Sequence, residues 1–221
     1  MSYRRHLMMQ SKSPFDKYGY IKDGKIYHLD GIDKGDTINA WTDLVGKNVI
    51  NNDGAIELID GWQLSNGNGL KGEYTNFPGS NNYTVEVCII PTTSKYFVII
   101  FDVGGMNSPS VPLFHNNNKV ITFLQNGNTY TLPSHTNDSP HCISLNLDCG
   151  CHNGISLTKN SGTDYWMNDH YTRIGRRGNY NSDFFNGKIH AVRIYNRRLT
   201  LSEMLNNQKV DNARFNLGLT L

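Results

Sequence analysis

Residues 185–215, FNGKIHAVRIYNRRLTLSEMLNNQKVDNARF, join three local signals that decide the fold: a turn, a strand and a capped helix. Asn186-Gly187 is a turn dipeptide suited to positive φ, and it launches residues 188–195. In that run Val192 and Ile194 point to one face while Arg193 and Tyr195 point to the other, so the pattern predicts a strand packed on one side. Thr200 stands three residues before Glu203, the capping-box spacing, and Leu201, Met204 and Leu205 follow as one apolar stripe. The spacing predicts a short helix over 200–209.

Upstream, the turn chemistry repeats. Asn-Gly occurs at Asn66, Asn68, Asn126, Asn153 and Asn186, and Asp-Gly at Asp23, Asp30, Asp53 and Asp60, mostly between alternating or apolar runs. Residues 83–90, 96–103, 120–124 and 155–159 supply strands at the spacing of a sandwich or barrel. The chain has 221 residues and 38% hydrophobic content, enough for one domain with a full core. It contains no run of 18 apolar residues, which excludes a membrane-spanning helix.

The closing segment resembles that of the laminin-G-like jelly-roll domains of the concanavalin A-like lectin and glucanase superfamily, in which a "GxIxxVRIYNRxLTxxE" pattern recurs. Gly187, Ile189, residues 192–197, Leu199, Thr200 and Glu203 fit it. KIYHLDGID at 25–33 with AWTDLVG at 40–46 resembles the opening strand pair of such domains. TVEVCIIP at 84–91 resembles their central inner strand, and HCISLNLD at 141–148 stands where "HHVAVTYD" is usual. The resemblance implies an all-β, two-sheet antiparallel jelly-roll sandwich with one short C-terminal helix. It divides the chain into a basic arm at 1–19, either docking or disordered, the domain at 20–215 and an apolar tail at 216–221. The superfamily holds lectins, hydrolases and adhesive modules, so the fold leaves the activity open.

The arm carries most of the net charge. Arg4, Arg5, Lys12 and Lys17 against Asp16 give +3 in the first 17 residues, whereas the whole chain is +2, leaving −1 for the rest. Leu7-Met8-Met9 is too short for the apolar core of a secretory signal, so synthesis and assembly in a host cytoplasm are expected. A basic arm ahead of such a sandwich resembles virion proteins of gut bacteriophages. The resemblance implies a head or tail fibre or decoration subunit, a homo-oligomer docked on other virion proteins through the arm and located in the virion. Four cations without interleaved aromatics do not make a nucleic-acid patch.

Chemistry-bearing residues are few. Cys142, Cys149 and Cys151, beside His141 and His152, invite a zinc reading, but a one-residue gap between paired cysteines is too tight for the usual spacing. Reduced thiols at a hairpin tip are the expectation, with Cys88 half-buried in its strand. Asp30, Asp33 and Asp36 offer oxygens for a structural calcium, though their spacing also suits turns. No other cofactor is implied. The chain has only four glutamates, Glu57, Glu73, Glu86 and Glu203, and lacks the E-x-D-x-x-E triplet of the superfamily's glucanases. It also lacks G-x-S-x-G, P-loop and H-E-x-x-H motifs, so the expectation is that it is not an enzyme. Glycan binding needs aromatic rings beside amides and charged groups. The densest such mixture is DYWMNDHYTRIGRRGNY at 164–180, which makes Tyr165, Trp166, His170, Tyr171, Arg173 and Tyr180 the candidate glycan contacts. The same aromatics could instead serve the core. Three functions remain: surface or glycan attachment, assembly without a ligand, and glycan processing.

Overall fold

The computed structural model describes residues 15–35, 37–65, 67–75, 82–92, 96–99, 113–116, 120–122, 129–131, 137–160, 170–175 and 185–221. Along the chain these residues form β1 (Lys25–Asp30), β2 (Ala40–Thr42), β3 (Val49–Asp53), β4 (Ile56–Leu58), β5 (Gly61–Leu64), β6 (Gly69–Thr75), β7 (Thr84–Pro91) and β8 (Tyr96–Ile99). There follow β9 (Leu113–Asn116), β10 (Val120–Thr122), β11 (Thr129–Thr131), β12 (His141–Leu145), β13 (Gly150–His152), β14 (Ile155–Lys159), β15 (His170–Ile174), β16 (Gly187–Tyr195) and α1 (Leu201–Phe215).

One large antiparallel sheet runs β10-β11-β14-β13-β12-β7-β16-β5-β4, with β1 also paired to β16; a second runs β15-β6-β3-β2, and β8 pairs with β9. Alternation explains how the two main sheets meet. Val85, Val87 and Ile89 of β7, Ile143 and Leu145 of β12, and Ile189, Val192 and Ile194 of β16 all turn inward. There they pack with Trp41, Ile50, Leu70 and Ile174 of the second sheet in one buried cluster. Trp41 and Trp62 lie fully buried in that cluster, 6.5 Å apart between ring centroids. Burial of such side chains contributes roughly 1.5–3 kcal/mol each and is the main stabilising term.

The turn chemistry acts where positive φ is needed. Asn153 (φ 46°) and Gly154 (φ 81°) join β13 to β14 as the Asn-Gly hairpin corner. Gly187 instead lies inside the sheet at φ 150°, between Pro91 of β7 and Leu64 of β5, where a Cβ would stand 2.3 Å from the Ile90 carbonyl oxygen.

β16 differs from the one-sided strand its alternation predicts. Arg193 and Tyr195 are buried as completely as Val192 and Ile194, because α1 lies over the outer face. The helix begins as the spacing predicts. The Thr200 side chain accepts from the Glu203 amide, and the Glu203 carboxylate accepts from the Thr200 amide. It continues to Phe215, well past residue 209. Its buried face explains the difference: beyond Met204 it consists of Asn207, Gln208, Asp211 and Phe215, so polar residues carry the helical period there.

Those residues meet a polar layer on the outer sheet face. Arg193 donates through Nε to Glu86 (2.9 Å) and through Nη1 and Nη2 to Asp211 (2.8 and 2.5 Å), with its guanidinium 4.2 Å from the Tyr20 ring centroid. Glu86 also accepts from Ser144 Oγ (2.9 Å) and Asn207 Nδ2 (2.8 Å), and Asp211 accepts from Tyr20 Oη (2.9 Å). Gln208 donates to Ser144 Oγ and to the Cys151 carbonyl. Burial pushes the Glu86 carboxyl up, opposed by Arg193. Burial alone would lower Arg193, but Asp211 and Glu86 outweigh it and hold its pKa well above the ordinary value. A buried charge is tolerated only when so many partners replace its water.

The first and last described residues are tied to this body. Phe15 bridges to Ile21, Lys17 and Tyr18 reach Asp33, and Arg214 lies 4.1 Å over the Tyr18 ring. In the tail, Leu217 and Leu219 pack with Cys88, Cys142, Ala191 and Phe215, and the Asn212 side chain clamps Leu219 through both its amide and its carbonyl. The tail therefore covers its own domain, and it does so without joining the sheet as a strand.

Candidate functional site

Of the predicted glycan contacts, Tyr165, Trp166 and Tyr180 lie outside the described residues. His170, Tyr171 and Arg173 fall together on β15, the end strand of the second sheet among the described residues. Its register with β6 sets His170 opposite Thr75 and Arg173 opposite Lys71, with an irregularity between His170 and Thr172 that singles out Tyr171. Such bulges at sheet edges re-aim the local chain.

Of the predicted calcium oxygens, Asp36 lies outside the described residues. Asp30 and Asp33 face different partners. Asp30 Oδ1 accepts from the amides of Ile32 (3.0 Å) and Asp33 (2.9 Å) and from Arg214 Nη2 (2.8 Å), whereas the Asp33 carboxylate takes Lys17 and Tyr18. Asp30 is thus a turn-forming residue that also anchors the last turn of α1.

The register also separates the zinc candidates. His141 pairs with Ile89 and His152 with Ile143, so both histidines sit on the inner face, while Cys142 and Cys151 occupy the outer one. The two groups are on opposite sides of the sheet. Cys88 is fully buried, not half-buried; Cys149 stands as a free, partly buried thiol in the turn of the β12–β13 hairpin, and Cys151 is a free, buried thiol on β13. Cys151 lies beside Gln208 and Cys149 beside Met204, both beneath α1.

The inner-face histidines form a constellation that motif reading missed. Ser139 Oγ stands 3.2 Å from His141 Nε2, and His141 Nδ1 stands 2.9 Å from His152 Nε2. The imidazole planes are within 10° and their centroids 5.1 Å apart, the geometry of two rings joined edge to edge in one plane. Asn153 fixes the support, its Oδ1 accepting from the Cys142 amide (2.7 Å) and its Nδ2 donating to the Pro140 carbonyl (2.9 Å). With Ser139 donating to Nε2, His141 carries its proton on Nδ1 and gives it to His152. A hydroxyl, a base and a group orienting the base are the parts of a nucleophilic relay. Both histidines are buried and Ser139 is half-buried at the rim. The signal lies in Ser139-Pro140-His141 and in His152 just before the Asn153-Gly154 turn, and it becomes readable only once the β12–β13 register is known.

No protein-family model matches the chain, and no curated protein resembles it in sequence. Solved structures do share its fold. The sialidase of Trypanosoma rangeli in complex with sialic acid superposes with a TM-score of 0.63 at 15% identity, over 86% of this chain and 33% of that one. Domain 4 of a GH43 extracellular arabinanase from Geobacillus stearothermophilus, in complex with arabinotriose, superposes with a TM-score of 0.59 at 16% identity, over 82% of this chain and 97% of that one. The fold is a jelly-roll β-sandwich. This jelly-roll sandwich spans about a third of the sialidase, and nearly all of the arabinanase domain. The expectation that the chain is not an enzyme is thereby overturned: proteins that share its fold include sialidases, which are enzymes. Absence of one glucanase triplet separates the jelly-roll sandwich from those glucanases only, not from glycan-active proteins at large.

Proposed function

We propose that the chain is a lectin-like module that attaches to glycans, with His170, Tyr171 and Arg173 of β15 and the sequence-predicted Tyr165, Trp166 and Tyr180 as its contacts. The observation that carries this reading is the near-complete overlap with an arabinanase domain that holds an oligosaccharide, 97% of that domain against 82% of this chain. A sandwich that matches a whole carbohydrate-associated domain is suited to work as a self-contained binding unit. The resemblance of the basic arm and sandwich to virion proteins of gut bacteriophages extends the reading: the module is carried on a phage particle as a homo-oligomer, with the arm on the particle and the sandwich outward. The test is retention on immobilised bacterial polysaccharides, with Trp166→Ala and Tyr171→Ala as variants. Saturable retention lost in both variants supports the reading, and equal retention of wild type and variants refutes the site. Copurification with capsid and tail proteins tests the particle.

A second reading rests on the Ser139–His141–His152 relay. In it the same sandwich cleaves an acyl ester on a glycan. Ser139 attacks the ester carbonyl while His141, held in place by His152, takes the hydroxyl proton and passes it to the departing sugar oxygen as the ester C–O bond breaks. Water activated by His141 then hydrolyses the acyl-Ser139 to a carboxylic acid and restores the hydroxyl. Fluorophosphonate labelling of Ser139, abolished by His141→Ala, is the expected result; unlabelled wild-type protein refutes it.

A further inference from the structure

Cys88 of β7 and Cys142 of β12 stand directly opposite one another in the antiparallel ladder, and their sulfurs are 3.2 Å apart. The backbone of Cys142 is turned away from Cys88. Its amide donates to Asn153 Oδ1 (2.7 Å) and its carbonyl accepts from the Asn153 amide (3.0 Å), both on the β13 side. Both groups of a strand residue point to the same neighbour, so Cys88 and Cys142 are a non-hydrogen-bonded pair. Such pairs hold their Cα atoms about 4.5 Å apart, within the roughly 4.4–6.8 Å that a disulfide spans, so closing the bond needs little backbone movement.

A metal ion is the competing occupant, because an oxygen of Asp211 and the two sulfurs lie within 4.8 Å of one another. Asp211 is already committed. Both its oxygens receive Arg193, and one also receives Tyr20, so a divalent cation there would face a buried guanidinium. The other two thiols are aimed elsewhere, Cys149 at Met204 and Cys151 at Gln208.

We propose that Cys88 and Cys142 are an oxidation site, joined as a cross-strand disulfide when the chain meets a low-molecular-weight disulfide. One cysteine, as thiolate, attacks the oxidant, forming a mixed disulfide and expelling one small thiol. The second attacks the protein sulfur of that mixed bond and expels the other small thiol. Two protein thiols are oxidised, the oxidant is reduced to two thiols, and the two cysteine protons leave to solvent or to the expelled thiolates. Phe215, Leu217 and Leu219 pack on the pair, so the oxidant enters when the tail and the end of α1 lift. Burial also pushes the Cys88 thiol up, which makes the reaction slow and faster at higher pH. The bond would tie together two central strands and close the chain between them into a loop, restricting the unfolded state.

The test is incubation of the full folded chain with oxidised glutathione, followed by alkylation, digestion and mass spectrometry. The expected product is a peptide pair linked through Cys88 and Cys142, with Cys149 and Cys151 alkylated and the unfolding midpoint raised by roughly 5–15 °C. Cys142→Ala should lose both the link and the rise. If that variant does not fold, the wild-type alkylation pattern decides alone. Four alkylated thiols after incubation in urea just below the unfolding transition, a link through Cys149 or Cys151, a glutathione adduct that never closes, or copurified zinc released by blocking Cys88 and Cys142 would each overturn the proposal.

Discussion

Arg193 reaches from β16 to Asp211 on α1 and meets its carboxylate with two nitrogens, at 2.8 and 2.5 Å, each residue only 1% exposed. The pair fastens the helix to the sheet, and its value is conditional. Truncating one partner of a buried ion pair strands the other charge, at about 3–5 kcal/mol, whereas replacing both by apolar groups of similar volume is often neutral.

Asp211→Ala should therefore lower unfolding stability by about 3 kcal/mol, Arg193 keeping Glu86 as its remaining partner. Arg193→Met combined with Asp211→Leu and Glu86→Gln, which leaves no carboxylate buried without its cation, should recover much of that loss. Urea titration of the three proteins measures it. Equal stability of Asp211→Ala and wild type would mean that the pair does not hold the helix.

Helix capping gives a smaller, pH-dependent effect. Thr200→Ala should destabilise by about 1 kcal/mol. Arg197, followed by the hydrogen bonds from Thr200, holds Glu203 at about 2 against its ordinary 4.5. A carboxylate so depressed contributes stability that is complete above pH 4.5 and lost as the pH falls toward about 2. Glu203→Gln should remove that dependence, by under about 1 kcal/mol because the Arg197–Glu203 pair is partly solvated. Acid titration of unfolding in both proteins checks the window.

Two buried histidines act in a higher range. Burial, helped by the nearby Lys25 charge, holds His28 well below its ordinary value, and burial lowers His190 despite Asp60. Both stay neutral in the fold while the unfolded chain takes up protons below about pH 6.5, so stability is complete above that pH and falls beneath it. The slope should approach about 1.4 kcal/mol per pH unit for His28, with a contribution of the same sign from His190. His28→Gln should flatten it. An unchanged slope between pH 7 and 5 would assign the dependence elsewhere.

Gly187→Ala should fail to accumulate as folded protein, because the added methyl would stand 2.3 Å from the Ile90 carbonyl oxygen at a φ of 150°. Far-ultraviolet circular dichroism and the soluble yield report it. A folded variant would show that β7 can yield at Ile90.

Legibility followed apolar contrast. Alternation is legible in β7 and β12, where Val85, Val87 and Ile89 stand against Glu86 and Cys88, and Cys142 shares a face with Ser144, because one face meets a hydrophobic core. Thr200 and Glu203 announced the start of the helix through local hydrogen bonding alone. The far half of α1 was unreadable because its buried residues, Asn207, Gln208 and Asp211, are of types normally placed at a surface. For the same reason Arg193 read as exposed. The Ser139–His141–His152 relay and the Cys88–Cys142 pair depend on strand register across the sheet, which no local spacing encodes. Within the predicted glycan site, the sequence brought His170, Tyr171 and Arg173 onto one strand; Tyr165, Trp166 and Tyr180 fall outside the described residues.

β16 is paired with β7, β5 and β1, so that Leu29 near one end of the chain finds its partner in Val192 near the other. During synthesis, strands made early must wait with open edges until that late strand leaves the ribosome, and closing such distant contacts is slow. Ribosome-bound intermediates that stop before residue 187 should thus be protease-sensitive and prone to associate, and acquisition of the native state should come as one late step.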